Sequence, residues 1–164
     1  MKKVLFTLMV LSGFAMSSFA QSNDGGKVSI GIEAGLPVGD ASNGYNFVIG
    51  GSLKYEQPIA DALAFTLTAG YSSFQGKTVA GFKVPAAGFV PVKAGLKVGF
   101  SDAFYGEAQL GAAFSTQSGG GTAFAYSPGI GYKLSSNVDL GVRYEAWSHN
   151  GTLSQVAARL AYSF

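Results

Sequence analysis

The chain has no cysteine. That excludes disulfide bridges, thiolate metal sites and a lipid-modified cysteine behind a leader. It has a single histidine, so no His/Cys set can hold a transition metal. No carboxylate cluster has the spacing of a calcium loop, and neither a metal nor a cofactor is expected. Gly119-Gly120-Gly121 lacks the Lys and Ser/Thr of a phosphate loop and reads as a flexible turn. Charge is scarce, with Asp, Glu, Lys and Arg making up 12% of the residues. The 11 basic side chains outnumber the 9 acidic ones only because Lys2 and Lys3 are counted. Without them the balance is even, and nothing points to a nucleic-acid partner. Beyond the first twenty residues there is also no apolar run of the ~20 residues a membrane helix needs.

Those first twenty residues read as a cleaved secretory signal peptide. Lys2-Lys3 supply the basic start, Val4 to about Met16 the apolar stretch, and Ser18-Phe19-Ala20 the small residues of a cleavage site before Gln21. The expected domains are therefore 1–20, a signal peptide for Sec export, and 21–164, one folded unit.

What the chain does have is glycine, 24 of them, and a 48% apolar content that is never continuous. The apolar residues fall at every second position. At the C-terminus Val156, Ala158, Leu160, Tyr162 and Phe164 alternate with Gln155, Ala157, Arg159, Ala161 and Ser163. A two-residue period is that of a β-strand with one greasy and one wet face. Seven further stretches alternate in the same way: Lys27–Leu36, Tyr45–Glu56, Leu63–Phe74, Gly88–Phe100, Ala103–Ser115, Thr122–Leu134 and Val138–Trp147. Segments of this length suit tilted strands crossing a bilayer. Ser101-Asp102, Ser135-Ser136-Asn137 and Gln57–Ala62 are short connections. Those near Pro37–Gly44, Gln75–Ala87, Thr116–Gly121 and Ser148–Thr152 are generally longer. Short turns on one side and longer loops on the other predict an all-β, eight-stranded antiparallel up-and-down transmembrane β-barrel, its turns periplasmic.

The aromatics are expected in two belts at the membrane–water interfaces. Tyr55, Phe65, Phe100, Phe104, Tyr132, Tyr162 and Phe164 fall at the turn level. Tyr45, Phe47, Tyr71, Phe114, Phe124, Tyr126 and Trp147 fall at the loop level. A soluble lipocalin-type barrel would instead turn the apolar face inward, and the charges on the other face argue against it.

The stretches Val138–Glu145, Phe104–Gly111 and Arg159–Phe164 together resemble the small outer-membrane barrels of the OmpA/OmpX type. That resemblance implies an integral protein of the bacterial outer membrane. It also implies outer-membrane lipid and lipopolysaccharide as surroundings, a monomeric state, and Leu160, Tyr162 and Phe164 as a signal read by the barrel-assembly machinery. The chain ends at the barrel, without the peptidoglycan-binding domain of full-length OmpA, so a wall-tethering role is not expected.

The wet face carries Glu33, Lys54, Glu56, Lys93, Lys97, Glu107, Lys133, Asp139, Arg143, Glu145 and Arg159. Charges facing lipid cost several kcal/mol at mid-membrane, so these side chains are expected inside, paired with one another. Counting from the Ser101-Asp102 turn makes Lys97 and Glu107 cross-strand neighbours, and Arg159 can meet Glu33 where the last strand closes on the first. Eight strands enclose a lumen about filled by its own side chains, so the expectation is a salt-bridged plug, with a narrow pore as the alternative. Ser148, His149 and Glu145 lie close in sequence, as in a hydrolase triad. However, Ser148-His149-Asn150 does not match the His-x-Ser-Asn pattern of the lipid A deacylases, and adjacent strand residues face opposite ways. A non-enzymatic structural or surface-interaction protein is the expected function, a lipid-modifying enzyme the weaker alternative.

Overall fold

A computed structural model describes residues 25–79 and 81–164, and the expected signal peptide lies outside the described residues. Eight long strands form the wall: β1 (Lys27–Val38), β2 (Tyr45–Ala60), β3 (Leu63–Gly76), β6 (Ala87–Gly99), β7 (Phe104–Ser115), β8 (Thr122–Lys133), β9 (Val138–Ser148) and β10 (Thr152–Ser163). They close into one antiparallel barrel in the order β1-β10-β9-β8-β7-β6-β3-β2. With 11 to 16 residues each, they exceed the ~10 needed to cross the hydrocarbon core.

The alternation reads directly as burial. On β1, Ser29, Gly31, Glu33 and Gly35 are buried, while Ile30, Ile32 and Leu36 are exposed on the lipid side. On β10, Gln155, Ala157, Arg159 and Ala161 point in, and Val156, Leu160 and Tyr162 point out. The two strands join in register, Glu33 opposite Arg159. The Phe164 amide donates to the Val28 carbonyl at 3.0 Å, so the final residue is part of the seam. Inward glycines make room for the long polar side chains. A Cβ on Gly31 would lie 2.6 Å from the Arg159 Nε, and one on Gly131 would run into the Tyr105 ring.

The wall strands reach further than the alternation predicts. β2 continues to Ala60, leaving only Asp61-Ala62 as a turn where a longer connection is expected over Gln57–Ala62. The β1–β2 loop holds a single helical turn, α1 (Ala41–Gly44), and the β3–β6 loop holds a two-stranded ribbon, β4 (Thr78–Val79) with β5 (Phe82–Lys83). The Lys77 ammonium donates to the Ser42 carbonyl at 2.6 Å, tying that ribbon to α1.

Two belt assignments are corrected. Trp147 is only 2% exposed and lies inside the barrel, not at the lipid interface. Its position has the parity of Arg143 and Glu145, although the intervening Ala146 is buried as well. Tyr45 also packs inward, its ring 5.4 Å from that of Phe74. A register irregularity between Tyr45 and Phe47 reverses the face at the start of β2. Lys133 stands exposed at the mouth on the short-turn end rather than within the lumen.

Candidate functional site

The lumen has two layers of opposite chemistry. The lower one, from mid-barrel to the mouth at the short-turn end, is ionic. Among the described residues, Lys54, Lys93, Lys97, Arg143 and Arg159 face Glu33, Glu56, Glu107, Asp139 and Glu145 there, so the layer is charge-neutral. Desolvated charges persist only with close partners, and these have them. Lys93 pairs with Glu145 where both side chains are essentially sealed from water, and its ammonium also donates to the Ser127 hydroxyl at 3.2 Å. Glu145 accepts further from Gln155 at 3.1 Å and lies 3.5 Å from Arg143. Arg143 donates to Glu33 at 2.6 Å. Glu33 accepts from the Ser52 hydroxyl at 2.6 Å and lies 3.6 Å from Arg159. Arg159 in turn donates to Ser52 and Ser29 at 2.9 and 3.2 Å. The result is one continuous network across β1, β2, β6, β8, β9 and β10.

Below it, pairing runs across the lumen rather than along the wall. Lys97 and Glu107 are opposite each other in the ladder, yet Lys97 reaches Glu56 at 2.7 Å and Glu107 takes Lys54 at 3.2 Å. Tyr105 explains the arrangement. Its hydroxyl donates to Asp139 at 2.8 Å, and its ring lies under the Lys97 ammonium at 4.1 Å, a cation–π contact. Gln109 links Glu107 to Thr66 and Thr68. A void of about 20 Å³ remains in the middle, beside Arg143, Arg159, Glu107 and Asp139. Arg143 Nε and Arg159 Nη1 have no acceptor among the described residues. That volume suits about one water molecule, which would serve such donors.

The charged residues expected in the lumen from sequence are therefore brought together by the fold, with Lys133 outside the set. The neutral members, Ser29, Ser52, Thr66, Thr68, Gln109, Ser127 and Gln155, carry no sequence signal beyond their inward parity. Tyr105 could be found only by the same parity, because aromatics in such a chain read first as belt residues.

The upper layer is apolar. Phe74, Phe89 and Trp147 meet with ring centroids 4.8 to 6.1 Å apart, and Val48, Ala87, Ala113, Ala123, Ala125 and Ala41 of α1 pack around them. Small side chains on β7 and β8 face large rings on β3, β6 and β9, so that the two sets interdigitate.

His149, Ser148 and Glu145 do not converge. The Ser148 hydroxyl bonds that of Thr152 at 2.9 Å, Glu145 is held by the ionic network, and the His149 imidazole lies beside Gly121 at the loop rim.

The family described as outer membrane protein β-barrel domain matches residues 6–164. Similar solved structures include Ail of Yersinia pestis in a phospholipid bilayer nanodisc, with a TM-score of 0.62 at 19% identity over 85% of this chain and 99% of that one. The N-terminal β-barrel domain of Pseudomonas aeruginosa OprF gives 0.60 at 13% identity over 84% and 97%. The de novo designed barrel TMB2.3 gives 0.58 at 22% identity over 86% and 97%. At these identities the likeness is one of fold. No curated protein matches the chain.

Proposed function

This chain belongs to the outer membrane β-barrel family, and from that premise we propose that it is a sealed, non-enzymatic barrel with an envelope or surface-interaction role. Location in the bacterial outer membrane follows from the family. The sealed lumen is supported by one observation above the rest: the Lys93–Glu145 pair, with its Ser127, Gln155 and Arg143 contacts, fills the section of the lumen directly beneath the aromatic layer. A void sized for a single water does not make a continuous aqueous path. The loop-side features, α1 and the β4–β5 ribbon with its exposed Phe82, are the parts left to meet lipopolysaccharide or a surface partner. The exposed Leu160, Tyr162 and Phe164 present the pattern proposed for the assembly machinery.

Planar-bilayer recording of the refolded monomer tests the reading. The expected trace stays at baseline, without steady openings. Large, steady conductance would overturn the sealed lumen and favour the narrow pore.

A further inference from the structure

The apolar upper layer does not fill the barrel to its rim. Above it is a vestibule of about 460 Å³ that opens on the loop side. Its wall includes Ala41, Tyr45, Phe89, Ala123, Trp147 and Leu153. Outer-membrane barrels ordinarily line their lumen with polar side chains. Here Tyr45, Phe89 and Leu153 are only half buried, packed on the Phe74–Trp147 floor with part of their apolar surface uncovered. Among the described residues, the groups at this vestibule that can carry charge are Asp40 and His149 at the rim and the phenol of Tyr45. The floor also carries an orphan: Trp147 Nε1 is buried and has no acceptor among the described residues.

We infer that this vestibule is a binding site for a small aromatic molecule bearing one acceptor oxygen, of the benzyl alcohol or phenol class. The size and lining are those of a small-molecule pocket: concave, mostly apolar, with few polar groups. The barrel wall surrounds it, which excludes a folded partner and selects for a compact guest. The exposed ring surface of Phe89 and Tyr45 favours an aromatic guest through offset or edge-to-face contact. Polar groups confined to the rim favour a guest with one oxygen rather than a charge. The site lies above the ionic layer, so it stands whether or not the lumen below conducts.

Trp147 is the only tryptophan in the sequence, so its fluorescence reports on this site alone. The test uses the full mature chain in lipid nanodiscs, titrated with 4-bromobenzyl alcohol, whose bromine quenches indole on contact. A guest seated on Phe89 is one ring from Trp147, the two centroids being 4.8 Å apart. The expected result is saturable quenching. Ala123→Phe, which places a ring in the vestibule, should raise the half-saturating concentration by at least ~10-fold. Leu153→Asn, which strips apolar wall without adding bulk, should raise it several-fold and serves if the first variant fails to show folded gel mobility. Lipids with brominated tails should leave the emission unchanged, because the indole faces the lumen. Quenching that rises linearly without saturation, saturation indifferent to both substitutions, or equal quenching by brominated lipid tails would each overturn the site.

Discussion

Removing the Glu145 carboxylate tests the ionic layer most directly. Glu145 is at the centre of the network, its side chain fully screened from solvent, and it faces three donors: Lys93, Gln155 and Arg143. In Glu145→Gln, Arg143 keeps Glu33 at 2.6 Å, but the Lys93 ammonium loses its counter-charge and keeps only neutral acceptors, the Ser127 hydroxyl and the introduced amide oxygen. Breaking a buried pair by deleting one partner costs about 3–5 kcal/mol, because the other charge stays desolvated and unpaired. Glu145→Gln should fall at the upper end, near 5 kcal/mol. Lys93→Met leaves Glu145 with Gln155 and Arg143 still beside it, so it should fall near the lower end, about 3 kcal/mol. The double variant Lys93→Met with Glu145→Leu leaves no unpaired ion and replaces the pair with apolar volume. Its residual cost is the Gln155 amide that loses its acceptor, about 1–3 kcal/mol. The assay is reversible urea unfolding in lipid vesicles followed by Trp147 emission, with heat-modifiable gel mobility as a second readout. A double variant as unstable as the sum of the singles, or single variants within about 1 kcal/mol of wild type, would refute the reasoning.

Two further outcomes follow from the same architecture. Leu110 is 59% exposed on the lipid side of β7, between the inward-facing Gln109 and Gly111, so Leu110→Arg should destabilise the barrel by about 2–4 kcal/mol in the same urea assay. A cost below about 1 kcal/mol would mean that this face does not meet hydrocarbon. Deleting Phe164 removes both the 3.0 Å bond to Val28 and the ring packed on Tyr162, and should slow insertion in cells and lower the folded fraction on cold gels. Normal assembly of the truncated chain would reject Phe164 as an assembly signal while leaving the barrel intact.

Much of the wall is legible in the sequence because a strand's side-chain period is fixed at two. Ile30, Ile32 and Leu36 against Ser29, Gly31 and Glu33 identify both the strand and its faces, whatever surrounds it. The meeting of Glu33 and Arg159 is also readable, because closure in register ties the last strand to the first. Local irregularity is not readable. The register break near Tyr45 turns one ring inward with no special residue to announce it. Trp147 shows the opposite difficulty: its parity is plain, but its height along the strand points to an interface belt.

Period and composition suffice to place the strands, their count, their two faces and the need for the inner charges to find partners. Which partners they find depends on how the barrel closes. Lys54 with Glu107, Lys93 with Glu145 and Lys97 with Glu56 join residues 53, 52 and 41 positions apart. Such contacts cross the lumen and depend on the stagger and circumference of the closed barrel, which no local period encodes. The same closure brings small side chains of β7 and β8 against the rings of β3, β6 and β9. That juxtaposition turns the upper lumen into an apolar floor with an open vestibule above it.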